Sequence, residues 1–105
     1  EWPDAMSHLA WVVATSSGFD AVARTEALSL AERANALTGS RDPSILDSLA
    51  AAYAAVGRFA EAVRTSEQAL TIAERHAPQV RDEIESRLRL YRRGQSVQRG
   101  RASQR

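Results

Sequence analysis

The feature that most restricts this chain is that it repeats itself. Displaced by 40 residues, Pro3, Met6, Leu9, Ala10 and Val13 fall on Pro43, Leu46, Leu49, Ala50 and Tyr53. Displaced by 42, the stretch ALSLAERAN at Ala27–Asn35 falls on ALTIAERHA at Ala69–Ala77. Within each copy the apolar residues recur at steps of three and four, the period of one helix face. A helix, a second helix and then the same pair again is a duplicated helical hairpin. One such hairpin cannot bury its own apolar face, whereas stacked copies can. The two displacements differ by two residues, so the two units differ in internal spacing, and SSGFDAVARTE in the first reads as an irregular connection.

Local start and stop signals set the helix limits. The first helix runs from Pro3 to about Thr15 and is broken by Ser16, Ser17 and Gly18. The second starts between Asp20 and Ala23 and stops at Gly39. Asp42 is placed to cap a third helix, with Pro43 at its first position, where a missing N–H costs nothing. That helix reaches about Ala55 and stops at Gly57; a fourth extends from Phe59 to His76 or Ala77, where Pro78 ends it. The fifth runs from Pro78 to about Arg92, with Val80, Ile84, Leu88 and Tyr91 as its apolar stripe. Glu83 with Arg87, and Glu85 with Arg89, form favourable i,i+4 pairs on faces expected to be in water. Aromatic and β-branched residues are too sparse to build several strands. The expected class is all-α.

The stretch LAAAYAAVGRFAEAV, Leu49–Val63, combines small residues, one tyrosine and one glycine. Leu46-x2-Leu49-Ala50-x2-Tyr53 resembles the first-helix pattern of the tetratricopeptide repeat, W-x2-L-G-x2-Y. Ala62 and Ala69 match the small positions of that family's second helix, and Gly57 matches its turn. Pro43 and Pro78 lie 35 apart, close to the family period of ~34 residues. The resemblance is strong over Pro43–Arg75 and weaker over Pro3–Thr38, where Val13 replaces the tyrosine. Ser66 stands where the family prefers a large aromatic, and the usual proline late in the second helix is missing. The wider pattern, ending in RLRLYRRG, also resembles the C-terminal segment of large bacterial multi-repeat proteins. What this implies is a right-handed α-solenoid of two hairpins and a capping helix, five helices in all. Repeat one would cover about 3–38, repeat two about 43–77, the cap about 78–93, and a basic disordered tail 95–105.

Catalytic chemistry finds little support. There is no cysteine, hence neither a disulfide nor a thiolate zinc site. HExxH and EF-hand spacings and glycine-rich phosphate loops are also missing, so neither metal nor cofactor is expected. Ser7 and His8 are adjacent on a helix and point apart, so they do not make a nucleophile and base. His76 near a helix C-terminus reads as a dipole-compensating cation. The chain is expected not to be an enzyme. No apolar run approaches the ~20 residues of a membrane span, and a soluble domain, cytoplasmic or periplasmic, is expected. Because it opens with Glu1 and no signal pattern follows, it reads as part of a longer protein.

Three surfaces remain as candidates for binding. By the family resemblance, the concave face is lined by Asp4, Ser7, His8, Trp11 and Thr15 from the first unit. Ser44, Asp47, Ser48, Ala51 and Ala55 line it from the second. It is expected to be polar, mildly acidic and without clamping cations, and to present itself to a peptide or partner helix. Trp11 is either its anchor or a packing residue. The open N-terminal edge, at Trp2, Met6 and Leu9, is a candidate for self-association into a homodimer. Last, residues 86–105 hold seven arginines and no acid, whereas residues 1–85 carry a net charge of −6. Arg87, Arg89, Arg92, Arg93, Arg99, Arg101 and Arg105 could meet phosphates of nucleic acid or an anionic surface. With no aromatic beyond Tyr91 for base stacking, a solvated tail is the plainer reading.

Overall fold

The computed structural model describes residues 2–97, and every regular element among them is helical. Helix α1 spans Trp2–Thr15, α2 Ala21–Leu37, α3 Pro43–Ala55, α4 Phe59–His76 and α5 Arg81–Arg92. Pro78–Val80 forms a 3-10 turn where the sequence predicts the first turn of the fifth helix. None of these helices is long and apolar enough to cross a membrane.

The boundaries arise from local chemistry. Asp20 Oδ1 accepts the Ala23 N–H at 2.9 Å, and Asp42 Oδ1 accepts those of Ser44 at 2.9 Å and Ile45 at 3.4 Å. Each carboxylate thereby satisfies amides that the first turn of a helix leaves unpaired. At the other ends the chain reverses through paired bonds: Gly57 N–H reaches Ala54 O at 3.0 Å and Arg58 N–H reaches Tyr53 O at 2.9 Å. Gly57 takes φ +84° to make them, a left-handed conformation that glycine adopts without a Cβ penalty. The same pair of bonds closes α5, from Gly94 to Tyr91 and from Gln95 to Leu90.

Helix α1 packs on both α2 and α3, α2 on α3, α3 on α4, and α4 on α5. Alanines make the crossings close. Ala10, Ala31 and Ala34 in the first hairpin, and Ala50, Ala62, Ala69 and Ala73 in the second, are all fully buried. Larger side chains fill the spaces beside them. Leu46 packs with Ala69, Ala73 and Ile84, and Tyr91 with Ala50, Ala54 and Ala62. Burying a leucine or isoleucine of this kind contributes roughly 1.5–3 kcal/mol. Met6, expected at an open edge, is instead buried between Ala34 and Ile45. Its side chain lies on the α2-facing side of α1, which the hairpin closes.

Val97 also packs against the cluster around Tyr91, so the chain leaves α5 by folding back on α3 and α4. Of the tail expected to be disordered from residue 95, residues 95–97 are described, and Val97 among them is packed. Residues 98–105, with Arg99, Arg101 and Arg105, lie outside the described residues.

Candidate functional site

A cavity of about 430 Å³ opens between α1, α3 and the 3-10 turn with α5. From α1 it receives Asp4, Ser7, His8 and Trp11; from α3, Ser44, Ile45, Asp47 and Ser48. Val80, Glu83, Ile84 and Arg87 form the third wall. The spacing i, i+3, i+4, i+7 occurs on α1 and again in residues 80–87, because that step keeps side chains on one helical face. Seven of the ten residues predicted for the concave face therefore line one cavity.

The other three do not. Thr15 is fully buried and its hydroxyl donates to the Trp11 carbonyl at 2.8 Å. Ala51 is buried among Ala10, Ala14 and Leu28, and Ala55 packs against the same cluster. Toward this end α1 and α3 cover their own small residues, and the groove is lined only as far as Trp11 on α1 and Ser48 on α3.

Arg87 is the main feature that the sequence reading missed. It was expected on a solvated face, paired with Glu83. Instead its guanidinium crosses to α3: Nε donates to Asp47 Oδ1 at 3.0 Å, and the second nitrogen donates to Oδ2. The two side chains keep 20% and 11% of their exposure, so this is a largely desolvated, bidentate pair. The same guanidinium lies over the Trp11 ring, 4.9 Å from its centre, within cation–π range. Trp11 is thus both a wall of the groove and the platform of its cation. The groove positions of α1 and α3 hold no arginine or lysine, as expected, but α5 adds Arg87 to the lining. Elsewhere on α5 the expected i,i+4 pair of Glu85 and Arg89 is present at 3.9 Å, and Arg92 reaches Glu67 on α4 at 3.0 Å.

Electrostatics around the pair are strained. Loss of water holds the Asp47 carboxyl above the usual carboxylate range, and the nearby Glu83 charge adds to it, while Arg87 opposes both. For Arg87, burial works against the charge, but the hydrogen bond and charge of Asp47 outweigh it and its pKa is raised. Below the pair, Tyr91 is buried and its hydroxyl has no hydrogen-bond partner among the described residues. Burial first, then the Asp47 charge, raises the Tyr91 pKa, so the phenol stays neutral. Asp4, His8, Ser44 and Glu83 stand exposed at the rim.

No group of three or more His, Asp and Glu side chains among the described residues is arranged to hold a metal ion. The Arg87 position had one readable signal. Residues 80, 83, 84 and 87 show the groove-lining spacing of residues 4, 7, 8 and 11, and a third groove helix could have been read from it. Comparison with protein-family models, with curated proteins and with solved structures finds no match.

Proposed function

We propose that this chain is a protein-interaction module of tetratricopeptide type, a short α-solenoid that docks a segment of a partner protein in the α1–α3–α5 groove. The observation that carries the reading is the convergence of three separate helices on one cavity of about 430 Å³, within the ~300–1,000 Å³ of ordinary ligand sites. Its floor is Ile45 and Ile84, its wall Trp11, and its rim polar. That is the composition of a recognition surface: an aromatic anchor beside aliphatic contacts, ringed by groups that set orientation. Asp47 and Arg87 hold the walls at a fixed separation, so a ligand meets a surface already formed and little ordering opposes its binding. The repeat architecture, the likeness to bacterial multi-repeat proteins and the paucity of catalytic groups all favour a scaffold over an enzyme.

The test is selection of a random peptide library displayed on phage against the immobilised chain. Enriched peptides should lose binding to Ser44→Arg and to His8→Glu, two exposed positions whose replacement leaves the core intact. They should keep binding to Val22→Asp, which lies on α2 away from the groove. Enriched peptides indifferent to both groove variants would place recognition elsewhere and end the proposal. So would failure to enrich any sequence.

A further inference from the structure

The groove holds hydroxyls that the fold itself leaves unused. Ser7 on α1 and Ser48 on α3 are only 6% and 7% exposed, yet neither hydroxyl has a hydrogen-bond partner among the described residues. Elsewhere in the chain the hydroxyls of Thr15, Ser16, Thr25 and Thr71 turn back to the carbonyl four residues earlier. Ser7 and Ser48 do not. Nor are their oxygens sealed in, as those of Ser66 and Tyr91 are; the little surface they keep opens on the cavity they line. A buried hydroxyl without a partner costs free energy, and a group bound in the groove is placed to meet both.

The charges of the same lining give the sign of that group. Asp4, Asp47 and Glu83 bring three carboxylates against the one guanidinium of Arg87. Arg87 is committed to Asp47 through two hydrogen bonds, and by crossing to α3 it leaves Glu83 without the partner that the sequence offered it. Neither Asp4 nor Glu83 forms an ion pair among the described residues. They stand exposed at the mouth on separate walls, one on α1 and one on α5. The whole chain has a formal charge of +1, so this negative surplus belongs to the groove and not to the surface at large. Trp2 and Leu9, predicted for an open edge, are 72% and 53% exposed and take no part in it.

A ligand that completes this site brings positive charge and several donors. A lysine ammonium is such a group, with donors only and no acceptor. Its flexible apolar stem can lie along Ile45 and Ile84 while the head reaches the oxygens. An arginine guanidinium is a planar fork suited to one carboxylate, whereas here the free oxygens come singly from three helices. A ligand carboxylate would meet two unpaired acids and a cation already bound to Asp47.

We propose that the groove selects its partner segment by a lysine, whose ammonium is received by the Ser7 and Ser48 hydroxyls between the Asp4 and Glu83 carboxylates, an assignment that rests on the groove reading above. Synthetic peptide mixtures, random except for a central lysine, arginine, ε-acetyl-lysine or glutamate, are titrated over the immobilised full chain by surface plasmon resonance. The lysine mixture should bind about tenfold tighter than the acetyl-lysine and glutamate mixtures, the worth of one charge-assisted hydrogen bond. That margin should shrink as salt rises. Asp4→Asn combined with Glu83→Gln, and separately Ser7→Ala combined with Ser48→Ala, should erase it without lowering the melting temperature. Glu26→Gln, on α2, should leave it unchanged. Ser44→Arg should abolish lysine binding by setting a cation in the mouth. His8→Glu should weaken it less, since the new carboxylate partly replaces the lost imidazole contact. A lysine mixture bound no better than acetyl-lysine, or a margin untouched by both double variants, would overturn the proposal. So would tighter binding of the arginine or glutamate mixture, although such binding, if lost in Ser44→Arg, would leave the groove reading standing. Binding of no mixture would end both.

Discussion

Replacing Arg87 by methionine removes a charge but keeps most of the stem that packs over Trp11. The loss has two parts. A hydrogen-bonded charge contact of this sort contributes about 1.5–3 kcal/mol, and the cation–π contact about 0.5–1 kcal/mol where water still reaches it. Regained apolar packing offsets some of this. What remains is an Asp47 carboxylate whose side chain keeps only 11% exposure and has lost its counter-charge. A fully buried charge so stranded costs ~3–5 kcal/mol; an open groove reduces that, and about 2–3 kcal/mol is expected at neutral pH. A domain of this size has roughly 5–10 kcal/mol in total, so the melting temperature should fall by about 10–20 °C.

The pH dependence separates this cause from simple loss of packing. Burial already holds the Asp47 carboxyl above its ordinary range, and Arg87 is what pulls it back. Without Arg87 the folded-state pKa rises further above the unfolded value of ~3.9. A carboxyl whose pKa is raised by folding favours the native state below the unfolded pKa. That advantage is lost as pH rises through the folded pKa. The deficit of Arg87→Met relative to wild type should therefore be small near pH ~4 and complete by pH ~7. Urea unfolding followed by circular dichroism at both pH values measures it. In a double-mutant cycle with Asp47→Asn, the coupling should be at least ~1 kcal/mol, well above the ~0.3–0.5 kcal/mol scatter of independent sites. A deficit equal at the two pH values, or coupling within that scatter, would refute the reasoning.

Four further outcomes follow from single positions. Ser66 is fully buried and its hydroxyl lacks a partner among the described residues; Ser66→Ala removes an unmet polar group and should stabilise the chain by about 1 kcal/mol in the same unfolding assay. Tyr91→Phe should likewise be neutral or stabilising, and a clear loss would show that its hydroxyl is satisfied by water. Asp42→Ala strips the cap from α3 and should cost ~1 kcal/mol, with faster amide exchange at Ser44 and Ile45 as its local signature. Gly57→Ala meets no atom within 4 Å, so its expected cost of about 1 kcal/mol is conformational only, from a positive φ. A penalty well beyond that would mean the turn is packed more closely than the structure shows.

Much of the architecture was legible because it is encoded over a few residues at a time. Asp42 and Pro43 start a helix, and Gly57 ends one, through bonds to their own neighbours, so the limits of α2, α3 and α4 could be read along the chain. The family resemblance placed Asp4, Ser7, His8 and Trp11 opposite Ser44, Asp47 and Ser48, and each set stays together because side chains on one helical face do so wherever the helix goes. The failures have one cause. Arg87 was assigned to solvent beside Glu83 because its nearest partner in sequence is four residues away. Its actual partner is 40 residues away, on a helix whose approach depends on how Ala50 and Ala69 let the backbones close. Thr15, Ala51 and Met6 were misplaced for the same reason: periodicity says which side chains share a face, and only the packing says how near the next helix comes. The sequence by itself determined the helices, their ends and the faces they present. Tertiary structure decided which faces were sealed and which charge stood in the groove, since distances between helices are set by the volumes of residues far apart in the chain.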